Sequence, residues 1–261
     1  MVSLAQIREA IVANLAASAA ESRVENPRVE YLCLSNLNLY DAATLERLAT
    51  QAVAGRQLRV LAEHPAAIDP KTQAILVQLC EDDYLGWLPT EDLDLLEVAT
   101  APYQAVVRSA DQIQASLPQV MTYAQLAMAQ PNHYLWGGTV GPNYDCSGLM
   151  QTAFAAVGIW LPRDAYQQEA FAQPIELDQL QPGDLIFFGT PERATHVGLY
   201  LGDGQYIHSS GKDQGRNGIG IDRLSAEGDR VSQTYYQQLR GAGRVISSYL
   251  PQSCPPQSGL P

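Results

Sequence analysis

The stretch Asp145-Cys146-Ser147-Gly148-Leu149 lies where a glycine-containing loop ends and a helix is predicted over residues 145–157. Leu149 and Ala153 belong to the apolar stripe of that helix. Cys146 is therefore expected in the first helical turn, where unpaired backbone N–H groups and the positive end of the helix dipole face its sulfur. That environment is expected to lower the thiol pKa and to favour a thiolate nucleophile.

Two of the four histidines lie on neighbouring predicted strands. Residues 195–201 alternate side chains between two faces and carry His196, and Asp203-Gly204 predicts a hairpin turn that returns His208 beside the first strand. Cys146, His196 and His208 would then supply a nucleophile, a base and an orienting group. A zinc site on the same three residues is the alternative, but no further Cys or His is placed to complete a tetrahedral structural site, so no metal is expected.

The hydrophobic pattern divides the chain into five segments. Pro102 and Pro118 frame the predicted linker, and short alternating runs before it indicate a small β-barrel. Helical periodicity followed by strands after the linker predicts an α+β domain with an antiparallel sheet. The predicted segments are a lead-in helix (1–29), the barrel (30–98), the linker (99–118), the α+β domain (119–248) and a disordered tail (249–261).

Composition excludes several classes of function. The 261 residues include 16 Lys and Arg against 28 Asp and Glu, a net charge of -12, so nucleic acid would be repelled. No apolar run approaches the roughly 18 residues that a spanning helix needs, so no membrane insertion is expected.

The first residues and the cysteines both favour a cytoplasmic protein. No basic residue precedes the first apolar positions, and Gln6, Arg8 and Glu9 interrupt them, which is unlike an export signal. The four cysteines form no C-x-x-C pair and no dense disulfide framework, as expected of reduced thiols.

Six blocks in the second half resemble the NlpC-type cell-wall cysteine peptidases. They are residues 134–138 (YLWGG), 145–149 (DCSGL), 161–163 (LPR), 181–185 (QPGDL), 196–198 (HVG) and 206–208 (YIH). The resemblance implies a circularly rearranged papain-like fold with Cys146 as nucleophile, His196 as base and His208 as the third polar member. It implies no cofactor.

The first half is similar to bacterial SH3-like domains in residues 38–41 (NLYD), Gly55 and residues 84–88 (YLGWL). The pair of domains resembles intracellular enzymes that trim cell-wall peptides. This implies hydrolysis of the amide between γ-D-glutamate and an L-diamino acid, either diaminopimelate or lysine. The implied substrate is a murein tri- or tetrapeptide with a free amino-terminal L-alanine, and a monomer is expected.

A free α-ammonium group needs an anion or acceptor, and Asp145, with Ser147 as a further acceptor, is the best-placed candidate. The alternative role of Asp145 is to cap the helix, and both roles are compatible. Arg163 is a candidate partner for the α-carboxylate of the D-glutamyl unit, although a surface or backbone-bonding arginine is the favoured interpretation.

Three aromatic residues complete the candidate site. By the resemblance, Tyr134 and Trp136 line the cleft, with core packing as the alternative for each. Tyr84 on the barrel resembles a tyrosine that limits how far substrate extends past the alanine. Two other functions remain open: a catalytically silent module that binds wall peptide or a partner, and a thiol acyltransferase or amidase on the same fold.

Overall fold

The computed structural model of the chain describes residues 29–61, 68–69 and 73–252. The chain divides into two compact units, Met1–Gln104 with Pro251–Pro261, and Ala105–Leu250. The predicted lead-in helix lies outside the described residues, apart from its final position at Val29, and so does the tail from residue 253 onward.

The amino-terminal unit is built from short antiparallel strands. They are β1 (Glu30–Cys33), β2 (Leu37–Tyr40), β3 (Leu48–Ala52), β4 (Gln57–Val60), β5 (Ile68–Asp69), β6 (Ala74–Leu79), β7 (Leu85–Pro89) and β8 (Leu96–Val98). They pair in the order β3-β2-β7-β6-β4-β1-β8, with β5 on β6. Leu39, Leu58 and Leu88 are fully buried between them. A buried ion pair between Arg56 and Glu81, 3.0 Å apart, lies in the same unit.

The first helix of the second unit, α1 (Ala110–Met128), starts earlier than predicted and corrects the extent of the linker. Ser109 and Gln112 form a capping box at its start. Ile113 and Leu117 extend the buried stripe back through the region assigned to the linker. Pro118 lies inside the helix, so it does not mark its boundary.

Three more helices and six strands complete this unit. The helices are α2 (Cys146–Ala155), α3 (Ala165–Phe171) and α4 (Arg230–Tyr236). The strands are β9 (Gln173–Ile175), β10 (Leu185–Gly189), β11 (Ala194–Gly202), β12 (Gln205–Ser210), β13 (Gly218–Arg223) and β14 (Leu239–Arg244). They form one antiparallel sheet in the order β13-β12-β11-β10-β14-β9, so the predicted α+β class is confirmed.

Side-chain alternation divides this sheet between two cores. Val197 and Leu199 on β11 belong to the apolar cluster that contains residues of α1 and α2. Phe188 and Tyr206 belong to a second cluster with Tyr235 of α4. The rings of His196 and His208 contact this second cluster.

The first residues of the predicted disordered tail are ordered, which corrects that boundary. The Tyr249 N–H donates to the Trp160 carbonyl at 2.8 Å, and its ring packs edge-on against Phe171. Within the described ranges, no helix is long and apolar enough to cross a membrane.

Candidate active site

The loop before α2 and the first turn of α2 are locked together by Asp145. Its carboxylate is the N-cap and accepts the Gly148 N–H at 2.7 Å and the Gly137 N–H at 2.8 Å. Gly148 is required here because a Cβ at that position would lie 2.0 Å from the Gly138 carbonyl oxygen. This close backbone approach places Cys146 at the helix start, as the sequence predicts.

Arg163 forms a buried two-pronged ion pair with the same carboxylate. Its guanidinium nitrogens lie 2.6 Å and 3.1 Å from the two Asp145 oxygens, and it also donates to the Ser147 hydroxyl at 3.0 Å. The Arg163 side chain is 1% exposed. The interpretation of Arg163 as a surface arginine is therefore wrong. Nη1 and Nη2 of Arg163 donate to Asp145 and Ser147, and contact of Arg163 with a substrate α-carboxylate stays a prediction.

The helix-capping role of Asp145 is present in this network. Its carboxylate accepts from two backbone N–H groups and from Arg163. Ser147 is buried with it, and its hydroxyl lies 3.4 Å from the carboxylate. Binding of a substrate ammonium by Asp145 and Ser147 stays a prediction.

Cys146 is 6% exposed and stands at the start of α2, with its sulfur beside the Val197 amide of β11. The backbone N–H groups of Val197 and Ser147 interact with the sulfur and favour its anion. Burial outweighs them and, together with the negative charge of Asp145, raises the pKa of the thiol to about 12. The expected lowering of this pKa is therefore wrong: the site holds a neutral thiol because it is desolvated.

His196 and His208 form the contact that the hairpin prediction requires. Nε2 of His196 lies 2.7 Å from Nδ1 of His208, and the two rings meet edge to face. The His196 ring also stacks on Tyr235 of α4, with ring centroids 4.2 Å apart. These contacts direct Nε2 of His196 toward His208, so Nδ1 of His196 is the ring nitrogen that is not used in this contact. Val197, the next residue on β11, supplies the amide at the Cys146 sulfur.

The hydrogen-bond chain continues through two residues that the sequence reasoning missed. His208 Nε2 lies 2.7 Å from Asp222 Oδ2, and Arg216 binds both oxygens of that carboxylate at 3.0 Å and 2.5 Å. The sequence signal that could have found Asp222 is side-chain alternation on β13. Gly220 pairs with His208 and Asp222 pairs with Tyr206, so the Asp222 side chain lies on the same face of the sheet as that of His208.

Both histidines are held uncharged in the resting site. Burial lowers the pKa of His196 well below its usual value, and neighbouring His208 adds to the effect. Burial also lowers the pKa of His208, opposed by its hydrogen bond to Asp222. Although burial alone would raise it, hydrogen bonds from His208 and Arg216 hold the pKa of Asp222 below its usual value, so this carboxylate is ionised.

The aromatic candidates lie in different surroundings. Tyr134 is half-buried near Cys146 and Asp145, and burial, with the negative forms of these neighbours, raises its phenol pKa, so the hydroxyl stays a donor. Trp136 is 57% exposed, which excludes the core-packing alternative. Tyr84 packs half-buried on the core of the amino-terminal unit, and its role in limiting how far substrate extends past the alanine stays a prediction.

Metal binding finds no support among the residues that the structure describes. Within them, no group of three or more His, Cys, Asp or Glu side chains is arranged to hold an ion. The described groups supply a desolvated thiol and a neutral imidazole whose hydrogen-bond chain ends at the ionised carboxylate of Asp222.

Comparison with known proteins matches a segment of each unit to a known domain family. Residues 131–240 match the NlpC/P60 family, and residues 39–93 match the bacterial dipeptidyl-peptidase SH3 domain. The chain therefore contains an NlpC/P60 domain that follows a bacterial SH3 domain in sequence. The resemblance and the fold class expected from the sequence are confirmed.

The matches to individual relatives cover only part of this chain and only part of each relative. The γ-D-glutamyl-L-lysine dipeptidyl-peptidase of Bacillus subtilis is 46% identical over 79 residues, 29% of this chain and 27% of that protein. The probable endopeptidase p60 of Listeria seeligeri is 38% identical over 112 residues, 43% of this chain and 19% of that protein. The chain thus spans about a quarter or less of the length of these two relatives.

Solved structures include an NlpC/P60 family protein from Bacillus cereus. It is 23% identical to this chain, with a TM-score of 0.43 and coverage of 84% of this chain and 64% of that one. The peptidoglycan hydrolase RipB from Mycobacterium tuberculosis is 28% identical, with a TM-score of 0.41 and coverage of 54% and 71%.

Proposed function

We propose that the protein is a cysteine peptidase that hydrolyses the amide between γ-D-glutamate and an L-diamino acid in small cell-wall peptides. The observation that carries the proposal is the thiol of Cys146 at the start of α2 and beside the Val197 amide, together with the hydrogen-bonded pair of His208 and His196, the residue before Val197 on β11. The name of the Bacillus subtilis relative supports this bond, and the SH3 domain that matches dipeptidyl-peptidases supports the same substrate class.

Acylation begins from the neutral pair. The thiol proton of Cys146 passes to Nδ1 of His196 as the sulfur attacks the γ-carbonyl carbon, and the carbonyl π electrons move to oxygen. Backbone N–H groups at the start of α2 face the developing oxyanion. The oxyanion then re-forms its carbonyl, the C–N bond breaks, and the leaving amine takes the proton from the His196 imidazolium.

Deacylation uses the same groups in reverse order. His196 accepts a proton from water as the water oxygen attacks the thioester carbon. Collapse of the second tetrahedral intermediate breaks the C–S bond, and the sulfur recovers the proton from His196. The products are the dipeptide L-Ala-D-Glu and the diamino acid, or the peptide that begins with it, with a free amino group. No cofactor takes part in either step.

Recognition of a free amino terminus is assigned to the polar wall beside Cys146. Asp145 and Ser147 supply acceptor atoms there, and the protonated phenol of Tyr134 supplies a donor. Arg163 holds the Asp145 carboxylate in place and also donates to the Ser147 hydroxyl. Tyr84 limits substrate length past the alanine in this proposal. Cytoplasmic recycling of murein peptides by a monomer is the matching cellular role.

The decisive experiment incubates the purified protein with L-Ala-γ-D-Glu-diaminopimelate, its lysine counterpart and their N-acetylated forms, and follows products by mass spectrometry. Free peptides should release L-Ala-D-Glu at least about tenfold faster than acetylated ones, because a charged hydrogen bond is worth about 1.5–3 kcal/mol. Equal rates would overturn the free-amine requirement.

Variants separate catalysis from binding. Cys146→Ala and His196→Ala should abolish release of L-Ala-D-Glu, whereas His133→Ala, an exposed histidine, serves as the matched control and should leave it unchanged. A wild-type protein that binds the peptide without cleaving it would support the silent-module alternative. Transfer of the γ-glutamyl group to an added amine in preference to water would support an acyltransferase.

A further inference from the structure

Asp222 and Arg216 lie at the far end of the hydrogen-bond chain that starts at His196. The Asp222 side chain is 2% exposed and that of Arg216 is 27% exposed. We infer that Asp222 and Arg216 are positioning residues that determine which ring nitrogens of His196 and His208 carry protons. The catalytic consequence of this inference rests on the proposed function, but the proton positions themselves do not.

Each hydrogen bond from Asp222 to His196 fixes the donor of the next one. An ionised carboxylate only accepts hydrogen bonds, so the 2.7 Å contact with Asp222 requires a proton on His208 Nε2. A neutral imidazole then has a bare Nδ1, which must accept. His196 Nε2, 2.7 Å from that atom, must therefore carry its own proton and donate it. The lone pair of His196 is left on Nδ1, as a base for the thiol requires.

The opposite set of protons is costly because of Arg216. It would place a bare His208 Nε2 against Asp222, and that contact would then need a protonated carboxyl group. Arg216 donates to both Asp222 oxygens, at 3.0 Å and 2.5 Å, and these two charged hydrogen bonds oppose protonation. The ion pair between Arg216 and Asp222 therefore selects one of the two possible sets of proton positions on His196 and His208.

The side chains that surround the imidazole rings of His196 and His208 come from several neighbouring helices, strands and loops. His196 on β11 and His208 on β12 face Tyr235 of α4 and Asp222 of β13. The further titratable or charged groups that act on this cluster are Cys146, Tyr134, Tyr206, Asp213, Arg216 and Asp229. Among these described groups, only Asp222 is both hydrogen-bonded to His208 and paired with a cation.

Gly220 explains how Arg216 reaches this position. A Cβ built on Gly220 would lie 2.2 Å from a terminal guanidinium nitrogen of Arg216 and 2.5 Å from its central carbon. The guanidinium therefore occupies the space that a side chain would fill. Gly220→Ala is expected to displace Arg216 from Asp222 without removing either charge, which makes it a mild second variant.

Ring-nitrogen NMR of histidine-labelled protein tests the proton positions directly. Two-bond ¹H–¹⁵N spectra at pH 8 distinguish the two neutral tautomers of each imidazole. The wild type should show Nε2–H tautomers for both His196 and His208. Asp222→Ala should shift both His208 and His196 toward the Nδ1–H tautomer. Gly220→Ala should produce the same shift in part.

Kinetics on the cell-wall peptide supply the catalytic readout. Asp222→Ala should lower kcat about 100-fold with KM within about threefold, and Gly220→Ala should lower kcat about tenfold. Arg216→Lys should retain more activity than Arg216→Gln, because the charge is kept. Arg223→Gln, which removes an exposed positive charge from the same strand, is the matched control and should change neither spectrum nor rate.

The outcomes separate this inference from the proposed function. Nδ1–H on His196 in the wild type, or unchanged tautomers in Asp222→Ala, would overturn the inference even if the peptide is cleaved. Lack of cleavage by the wild type would overturn the proposed function while the spectra still decide the proton positions. If Asp222→Ala does not fold, Gly220→Ala and Arg216→Gln provide the same comparison.

Discussion

Nη2 of Arg163 lies 2.6 Å from Oδ2 of Asp145, and this buried ion pair joins the loop after α2 to the N-cap of the helix that carries Cys146. The pair holds the carboxylate that caps Gly148. The geometry at Cys146 therefore depends on an arginine that lies outside the proposed set of reacting groups.

Removing that arginine should be strongly destabilising. Arg163→Leu leaves the Asp145 carboxylate buried without its cation, and we expect a loss of about 3–5 kcal/mol in the free energy of unfolding. Urea denaturation followed by circular dichroism measures this loss. Arg230→Leu, an exposed arginine of the same unit, is the control. A loss below about 1 kcal/mol for Arg163→Leu would contradict the role given to the pair.

Gly148 should tolerate no side chain. The Cβ of Gly148→Ala would meet the Gly138 carbonyl oxygen at 2.0 Å, and backbone on both sides must shift to relieve the clash. We expect a destabilisation of at least about 1–3 kcal/mol and a large fall in kcat, because the thiol moves with the helix start. Gly241→Ala, where a Cβ meets nothing within 4 Å, is the matched control. Normal kcat in Gly148→Ala would show that this approach is not needed.

Stability should fall as pH decreases below about 6.5. The pKa values of His196 and His208 are lowered in the folded protein, so the unfolded chain takes up protons first. Their neutral forms are favoured above the unfolded pKa, and the folded state loses up to about 1.4 kcal/mol per pH unit for each histidine below it.

Denaturant titrations at several pH values from 5 to 8 test this slope. A His196→Gln variant removes one of the two groups, so its stability should depend less steeply on pH between 5 and 6.5 than that of the wild type. Equal slopes would show that His196 does not have the lowered pKa described above.

Thiol reactivity should follow the raised pKa of Cys146. Because burial raises that pKa to about 12, the rate of alkylation by iodoacetamide should keep rising with pH above 9. Peptide mapping by mass spectrometry identifies the modified cysteine, and Cys146→Ser serves as the blank. A rate plateau near pH 6 would instead indicate a resting thiolate.

The hairpin and the helix start were predictable because both are local. Asp203-Gly204 brings His208 beside His196, and Asp145 caps the helix at Cys146, all within short stretches of sequence. Domain types were also predictable, because the amino-terminal strands alternate and the helices of the second domain precede most of its strands.

The remaining features depend on burial and on partners that are distant in sequence. The thiol pKa was mispredicted because desolvation by the surrounding core is invisible in a helix pattern. Asp222 was missed because its contact with His208 requires the register of β13 on β12. The contact between Arg163 and Asp145 spans 18 residues, including all of α2. The predicted linker ends at Pro118, which the structure places inside α1, because a proline inside a helix gives the same local signal as a boundary.

The most direct test of the account is the mass of the intact protein during turnover. Rapid acid quenching of wild-type protein mixed with excess L-Ala-γ-D-Glu-diaminopimelate should trap an L-Ala-γ-D-Glu thioester, and peptide mapping should locate it on Cys146. Cys146→Ala should show no adduct and no product. Product formation by Cys146→Ala, or an adduct on a different residue, would contradict the account.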